Sequence, residues 1–314
     1  MTELLALIKL CDDSSVVVTD KVARRLRELN AREGNGDVWR EIAAQEIVVS
    51  PAQRAALNAI LAAPDEDSTK NEEQETRATK NEGRDQKLRA AWATIFRSDD
   101  ENRVLEHALL ALSEWQSGTG SGARGRVLLD ELALEFGDFD LSSASSANDF
   151  GAANDFGAAG LDETAALAKF LFEFKPLRGA SADDYYNPRQ SNLTDVLESG
   201  HGLPITLSCI FILVGRRVGL SIRGCSFPGH FLASDAASGR IFDPFHGGRI
   251  LSPREVYALE KAAPGEMNPA ASTREIIARV LRNLSVAYFQ SGESQNSAFM
   301  LSMLQLMDEN SLHN

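Results

Sequence analysis

Between Gly202 and Gly219 the chain reads Gly-Leu-Pro-Ile-Thr-Leu-Ser-Cys-Ile-Phe-Ile-Leu-Val-Gly-Arg-Arg-Val-Gly, and this stretch limits the possible folds more than any other. Pro204 stands near its start and Gly219 at its end, where a helix takes its first turn and its stop. Apolar side chains surround it almost completely, which predicts a helix buried on all sides rather than one lying on a surface. Three short runs follow, Ile222–Phe227, Pro228–Ala233 and Arg240–Phe245, and they read as strands. Asp235–Gly239 is the hairpin loop between the last two. A buried helix followed by strands that bring His230 and Asp243 together is therefore expected at the centre of an α+β fold.

The chain around this centre is read as a series of helical and polar segments. Residues 1–63 carry Leu4, Leu5, Leu7 and Ile8, then Val22, Leu26 and Leu29, at helical spacing. They resemble one HEAT-like helical pair, with a third helix starting at Pro51 behind Ser50. Residues 64–87 contain no apolar side chain larger than Ala78, and Thr-Lys-Asn-Glu occurs there twice. They are expected to form a disordered polar linker or a solvated extension of a helix. Helical periodicity resumes over 88–141 with Leu88, Trp92, Leu105, Leu109 and Trp115, a helical leader to the centre. Residues 142–160 repeat Asn-Asp-Phe-Gly-Ala-Ala in tandem, which reads as an exposed low-complexity loop or as a binding motif on Phe150 and Phe156. The central region spans 161–262, and 273–308 form two helices around Ser291–Glu293.

Charge and cysteine usage narrow the function classes. The net charge of −13 argues against general affinity for nucleic acid or anionic membrane, so neither is expected as a partner. Arg216 and Arg217 sit where a helix C-terminus favours cations, and they could also join Arg223 in a local basic patch. Cys11, Cys209 and Cys225 have no disulfide or metal spacing, and no His-x-x-x-His or Cys-x-x-Cys occurs. No metal site and no cofactor are expected. Met1–Leu10 has no basic leader or cleavage site and is followed by Asp12 and Asp13, so a cytoplasmic location is expected.

Several blocks carry a family resemblance. They are Tyr185-Tyr186-Asn187-Pro188, Asp195–Leu197, Gly202–Ser208, Phe227–Leu232 and Asp243–Arg249. These resemble the transglutaminase-like superfamily, which shares a core with papain-like cysteine proteases, and within it the bacterial SirB-one family, over roughly residues 160 to 307. The resemblance implies a transglutaminase-like core over 161–262 with a small antiparallel sheet, and a tetratricopeptide-like helical hairpin over 273–308. In such enzymes a Cys at the head of the central helix is the nucleophile, and a His and an Asp on successive strands are its base and orienting group. His230 and Asp243 occupy the latter two positions. The nucleophile position, counted from Gly202 and Gly219, is Pro204, as the SirB-one family itself carries. Gln190, Thr194, Ser199-Gly200 and Ala233-Ser234 depart from that family's usual residues around the expected cleft.

Two functions follow as expectations. The first is a catalytically silent core acting as a binding or regulatory scaffold, with protein as its partner and any small-molecule ligand unspecified. His230 and Asp243 are then vestigial, with His201, Ser208, His246 and Arg249 lining a ligand cleft. The glycines beside Arg249 would let backbone N–H groups approach a ligand that the guanidinium clamps. The second is a thiol-dependent amide hydrolase or acyltransferase using Cys209 or Cys225 with His230 and Asp243. Simpler readings stand beside these: His230 as a buried structural imidazole, Asp243 as a turn-former, Cys209 as a small core residue.

Overall fold

The computed structural model describes residues 3–11, 16–30, 38–45, 47–62, 66–98, 100–139, 163–227, 229–262 and 268–309. The tandem repeat of 142–160 lies outside the described residues. The chain divides into two compact units, Met1–Gly83 and Arg84–Asn314.

In the first unit, α1 (Glu3–Leu10), α2 (Val16–Asn30), α3 (Val38–Ala44) and α4 (Pro51–Ala62) share one core. Leu4 with Ile8, Val22 with Leu26 and Val38 with Ile42 meet Leu57 there, because i, i+4 spacing puts each pair on one helix face. Ser50 and Gln53 cap α4 reciprocally, each side chain accepting from the other's backbone N–H at 3.2 and 3.1 Å.

The polar stretch is helical from residue 66 on. α5 (Glu66–Ile95) runs through it, and the division between the units falls inside it at Gly83. Glu, Gln, Lys, Arg and Ala are good helix formers, so a segment with no core of its own can still propagate a helix.

In the second unit the end of α5 is joined by α6 (Glu101–Ser117), α7 (Ser121–Gly137) and α8 (Glu163–Lys169), which continues as a π-turn over Phe170–Phe174. Then come α9 (Leu193–Ser199), α10 (Pro204–Arg217), α11 (Pro253–Ala262), α12 (Thr273–Gln290) and α13 (Ser294–Glu309). β1 (Arg178–Gly179) and β2 (His201–Gly202) form a short parallel pair. The main sheet is antiparallel, in the order β6 (Arg249–Ile250), β5 (Ile241–Asp243), β4 (His230–Asp235), β3 (Ile222–Phe227), β7 (Asn268–Ala271).

One continuous core holds this unit together. It takes Trp92 from α5, Leu109 from α6, Leu129 from α7, Phe211 from α10, Phe231 from β4, Leu281 from α12 and Met303 from α13. Segments 88–141, 161–262 and 273–308 all contribute residues to this core. Trp115 shows the joining: it stacks on Phe299 at 5.4 Å, meets Tyr288 edge-on at 5.7 Å and donates from Nε1 to Asp85 at 2.7 Å.

α10 is the axis of this body, and every residue from Pro204 to Gly215 is buried. Its C-terminal Arg217 does not form a basic patch. The guanidinium donates to Asp130 of α7 at 2.7 Å, Glu106 of α6 at 2.9 Å and the Leu213 carbonyl at 3.1 Å. It thereby ties three helices and satisfies an end carbonyl.

The edge strand β7 contains Pro269. Proline is tolerated at an edge, where its missing N–H leaves no ladder bond unmade. α12 then begins with a full capping box between Ser272 and Glu275. Ser272→Ala should lower stability by about 1 kcal/mol, read as a shift of the denaturant midpoint at constant slope. An unchanged midpoint would mean the cap contributes nothing.

Candidate functional site

The site is assembled where β4 begins and β5 ends. Phe227 pairs with His230 at the turn end of the β3–β4 hairpin, and Ala233 pairs with Phe242 one strand further on. That register carries Asp243, two per cent exposed, to the His230 ring. His230 Nε2 lies 3.1 Å from Asp243 Oδ1, which leaves the ring's Nδ1 outside that bond.

Asp243 is also the turn-former its position before Pro244 suggested. Pro244–His246 is a 3-10 turn, and Asp243 Oδ1 accepts from the His246 backbone N–H at 3.3 Å. The turn brings the His246 ring back, with Nδ1 2.8 Å from Asp243 Oδ2. One carboxylate therefore serves two imidazoles with two oxygens. Burial alone would raise the Asp243 pKa, but the hydrogen bonds and charges of His230 and His246 outweigh it and hold the carboxyl below its ordinary value.

Arg249 borders this cluster. Its Nη2 is 3.9 Å from Asp243 Oδ2, while its Nη1 is engaged by Glu255 Oε1 at 2.5 Å. Glu255 is the residue the sequence reading missed as a neighbour of the site. Its spacing from Ser252 gave the signal, since it also accepts from the Ser252 N–H at 2.8 Å as a helix cap. Those bonds, with the Arg249 charge, pull the Glu255 pKa down to about 2.

The other expected cleft residues lie elsewhere. Ser208 is fully buried and donates to the Phe231 carbonyl at 3.5 Å, so it packs the helix against β4 and lines no cleft. His201 stands on β2 with its Nδ1 2.9 Å from the Ser199 carbonyl oxygen, outside the Asp243 cluster. The glycines of the His246–Arg249 turn have a structural reason. Gly248 has φ of +70°, and a Cβ there would come within 2.5 Å of the Phe172 ring. Close packing and a left-handed turn explain it, rather than approach to a ligand.

The positions that depart from the SirB-one pattern also have structural partners. Gln190 Nε2 donates to Asp184 at 2.7 Å, Thr194 Oγ1 to the Ser121 carbonyl at 3.1 Å, and Ser234 Oγ to the Pro269 carbonyl at 3.2 Å. Gly200 ends α9 in the left-handed conformation.

Both thiols of this unit are buried. Cys209 is fully buried within α10, and burial pushes its pKa up to about 12. Cys225 is equally buried in a separate cluster with Phe227, Leu232 and Leu251, where burial and then the charge of Glu260 push its pKa to about 12. Pro204 is the first residue of α10, and Leu203 gives no side-chain cap. Cation donors are the one chemical feature the sequence spacing did not show. His230, Asp243 and His246 each offer a ligand atom, and these atoms lie within 4.8 Å of one another.

Residues 128–282 match the sequence model of the transglutaminase-like superfamily. The matched segment is wider than the expected core of 161–262, since it begins in α7 and ends in α12. The chain is 41% identical over 139 residues to a UPF0162 protein of Xylella fastidiosa (strain Temecula1), covering 40% of this chain and 48% of that protein. It is 30% identical over 146 residues to a UPF0162 protein of Pseudomonas aeruginosa, with 43% and 54% covered. Human F-box only protein 21 is 25% identical over 134 residues, with 39% and 21% covered. The chain spans about half the length of the curated bacterial relatives it matches. No solved structure matches it. Among the described residues, no helix is long and apolar enough to cross a membrane. With a buried helix at its axis and a His–Asp pair on the strands packed against that helix, the segment 128–282 is similar to the transglutaminase-like superfamily.

Proposed function

We propose that this domain is a binding module without thiol chemistry, a catalytically silent member of its superfamily that serves as a cytoplasmic scaffold for protein contacts. The finer assignments to the SirB-one family, with HEAT-like helices before the domain and a tetratricopeptide-like pair after it, belong to the same proposal. One observation carries the reading. The two thiols of the unit are buried, which pushes the pKa of each up to about 12, and the resemblance puts Pro204, the first residue of α10, where the superfamily's thiolate would project. Nucleophilic catalysis by sulfur needs the thiolate, which neither residue supplies near neutral pH. His230 and Asp243 remain as a pair, able to bind but with no neighbouring thiol to deprotonate.

The reading is tested on the native full chain with iodoacetamide and with amide and ester substrates. No thiol should be modified before unfolding, and no turnover should be seen. Turnover that disappears in Cys209→Ser or Cys225→Ser would replace the proposal with the hydrolase or acyltransferase reading.

A further inference from the structure

A His–Asp pair explains one imidazole on Asp243, but the structure has two. His230 Nε2 is 3.1 Å from Oδ1 and His246 Nδ1 is 2.8 Å from Oδ2. Two ligand atoms bonded to one ion at about 2.05 Å lie roughly 2.9 Å apart at a right angle and roughly 3.3 Å apart on a tetrahedron. Each nitrogen–oxygen separation falls close to that span, one on each oxygen of a carboxylate that can chelate, and one ligand atom from each of the three residues lies within 4.8 Å of the others. We propose that His230, Asp243 and His246 form a site for a divalent transition-metal ion of the zinc class.

The donor set selects the class of ion. Two imidazole nitrogens and one carboxylate suit zinc, iron, cobalt or nickel, whereas magnesium and calcium favour oxygen ligands throughout. The scaffold is ordered on both sides. Asp243 is buried and fixed by capping the turn, His230 is held at the start of β4, and the His246 side chain is 57% exposed. Three protein ligands with one on the solvent side leave coordination positions open to an incoming group. The neighbouring positive charge is already engaged, because Arg249 is held by Glu255 at 2.5 Å.

The inference deepens the reading of this cleft as a binding site without a thiolate, and rests on it. It is tested on the untagged full chain, treated with a chelator and then titrated with Zn²⁺ alone by calorimetry and with Co²⁺ by visible absorption. One equivalent should bind, and cobalt should show ligand-field bands without a sulfur charge-transfer band, because all three thiols are buried. His246→Ala removes a mostly exposed ligand and should weaken that equivalent more than tenfold while keeping the wild-type circular dichroism. His230→Gln provides a second variant should the first fail to fold. No saturable binding by wild type, or equal affinity in the folded variants, overturns the metal site. Such a failure leaves the absence of thiol chemistry standing, whereas native labelling of Cys209 or Cys225 would remove that reading without any titration.

Discussion

Replacing Pro204 by Cys should create the most reactive thiol in the protein. At the first position of α10 the new sulfur would sit at the positive end of a 14-residue helix, where the dipole favours the thiolate. Thiols at helix N-termini or beside a histidine have pKa values of about 3.5–7.5 and are largely ionised at pH 8. Cys209, with a pKa pushed to about 12, is ionised in roughly one molecule in ten thousand at that pH. Pro204 is itself buried, which slows access. Even so, alkylation of Pro204→Cys should exceed that of Cys209 by on the order of a thousandfold. Adding His230→Ala should slow it again if Nδ1 of His230 faces the new sulfur. Equal labelling of Pro204→Cys and wild type would show that the helix start does not occupy the superfamily's nucleophile position.

Asp243→Ala should be the most damaging single change at the site. It removes the acceptor for two imidazoles and for the His246 N–H together, leaving His230 in a largely enclosed place without a partner. A loss of about 2–3 kcal/mol is expected, against about 1–3 for His230→Ala. For a unit of this size the former lowers the melting temperature by about 4–12 °C. An unchanged melting temperature would mean the cluster is not a structural one.

The same carboxylate sets a pH dependence, to be measured after chelator treatment. Its folded pKa lies below its unfolded value, so its contribution is complete above the unfolded value of about 3.9 and drains away as pH falls through the folded one. The stability gap between wild type and Asp243→Asn should therefore narrow as pH falls below about 4. A gap that widens in acid would reverse the sign of the carboxyl's shift.

Residues within one turn of each other were readable directly. Pro204 at the head of α10 and Pro51 behind Ser50 at the head of α4 act through bonds spanning a few residues. The complete burial of α10 was legible as well, because its apolar residues leave no polar face to put outside. Tertiary structure alone decided what covers those faces. Trp92, Leu129, Leu281 and Met303 show helical periodicity in separate stretches, yet they close one core. Periodicity marks which face of a helix is buried without naming its neighbour. The same holds at the site. His230 and Asp243 are 13 residues apart, and strand register carries them together, while the 3-10 turn folds His246 onto the second oxygen of Asp243. Ser208 and Cys209 look chemically promising as letters, yet the sheet and the surrounding helices bury both completely.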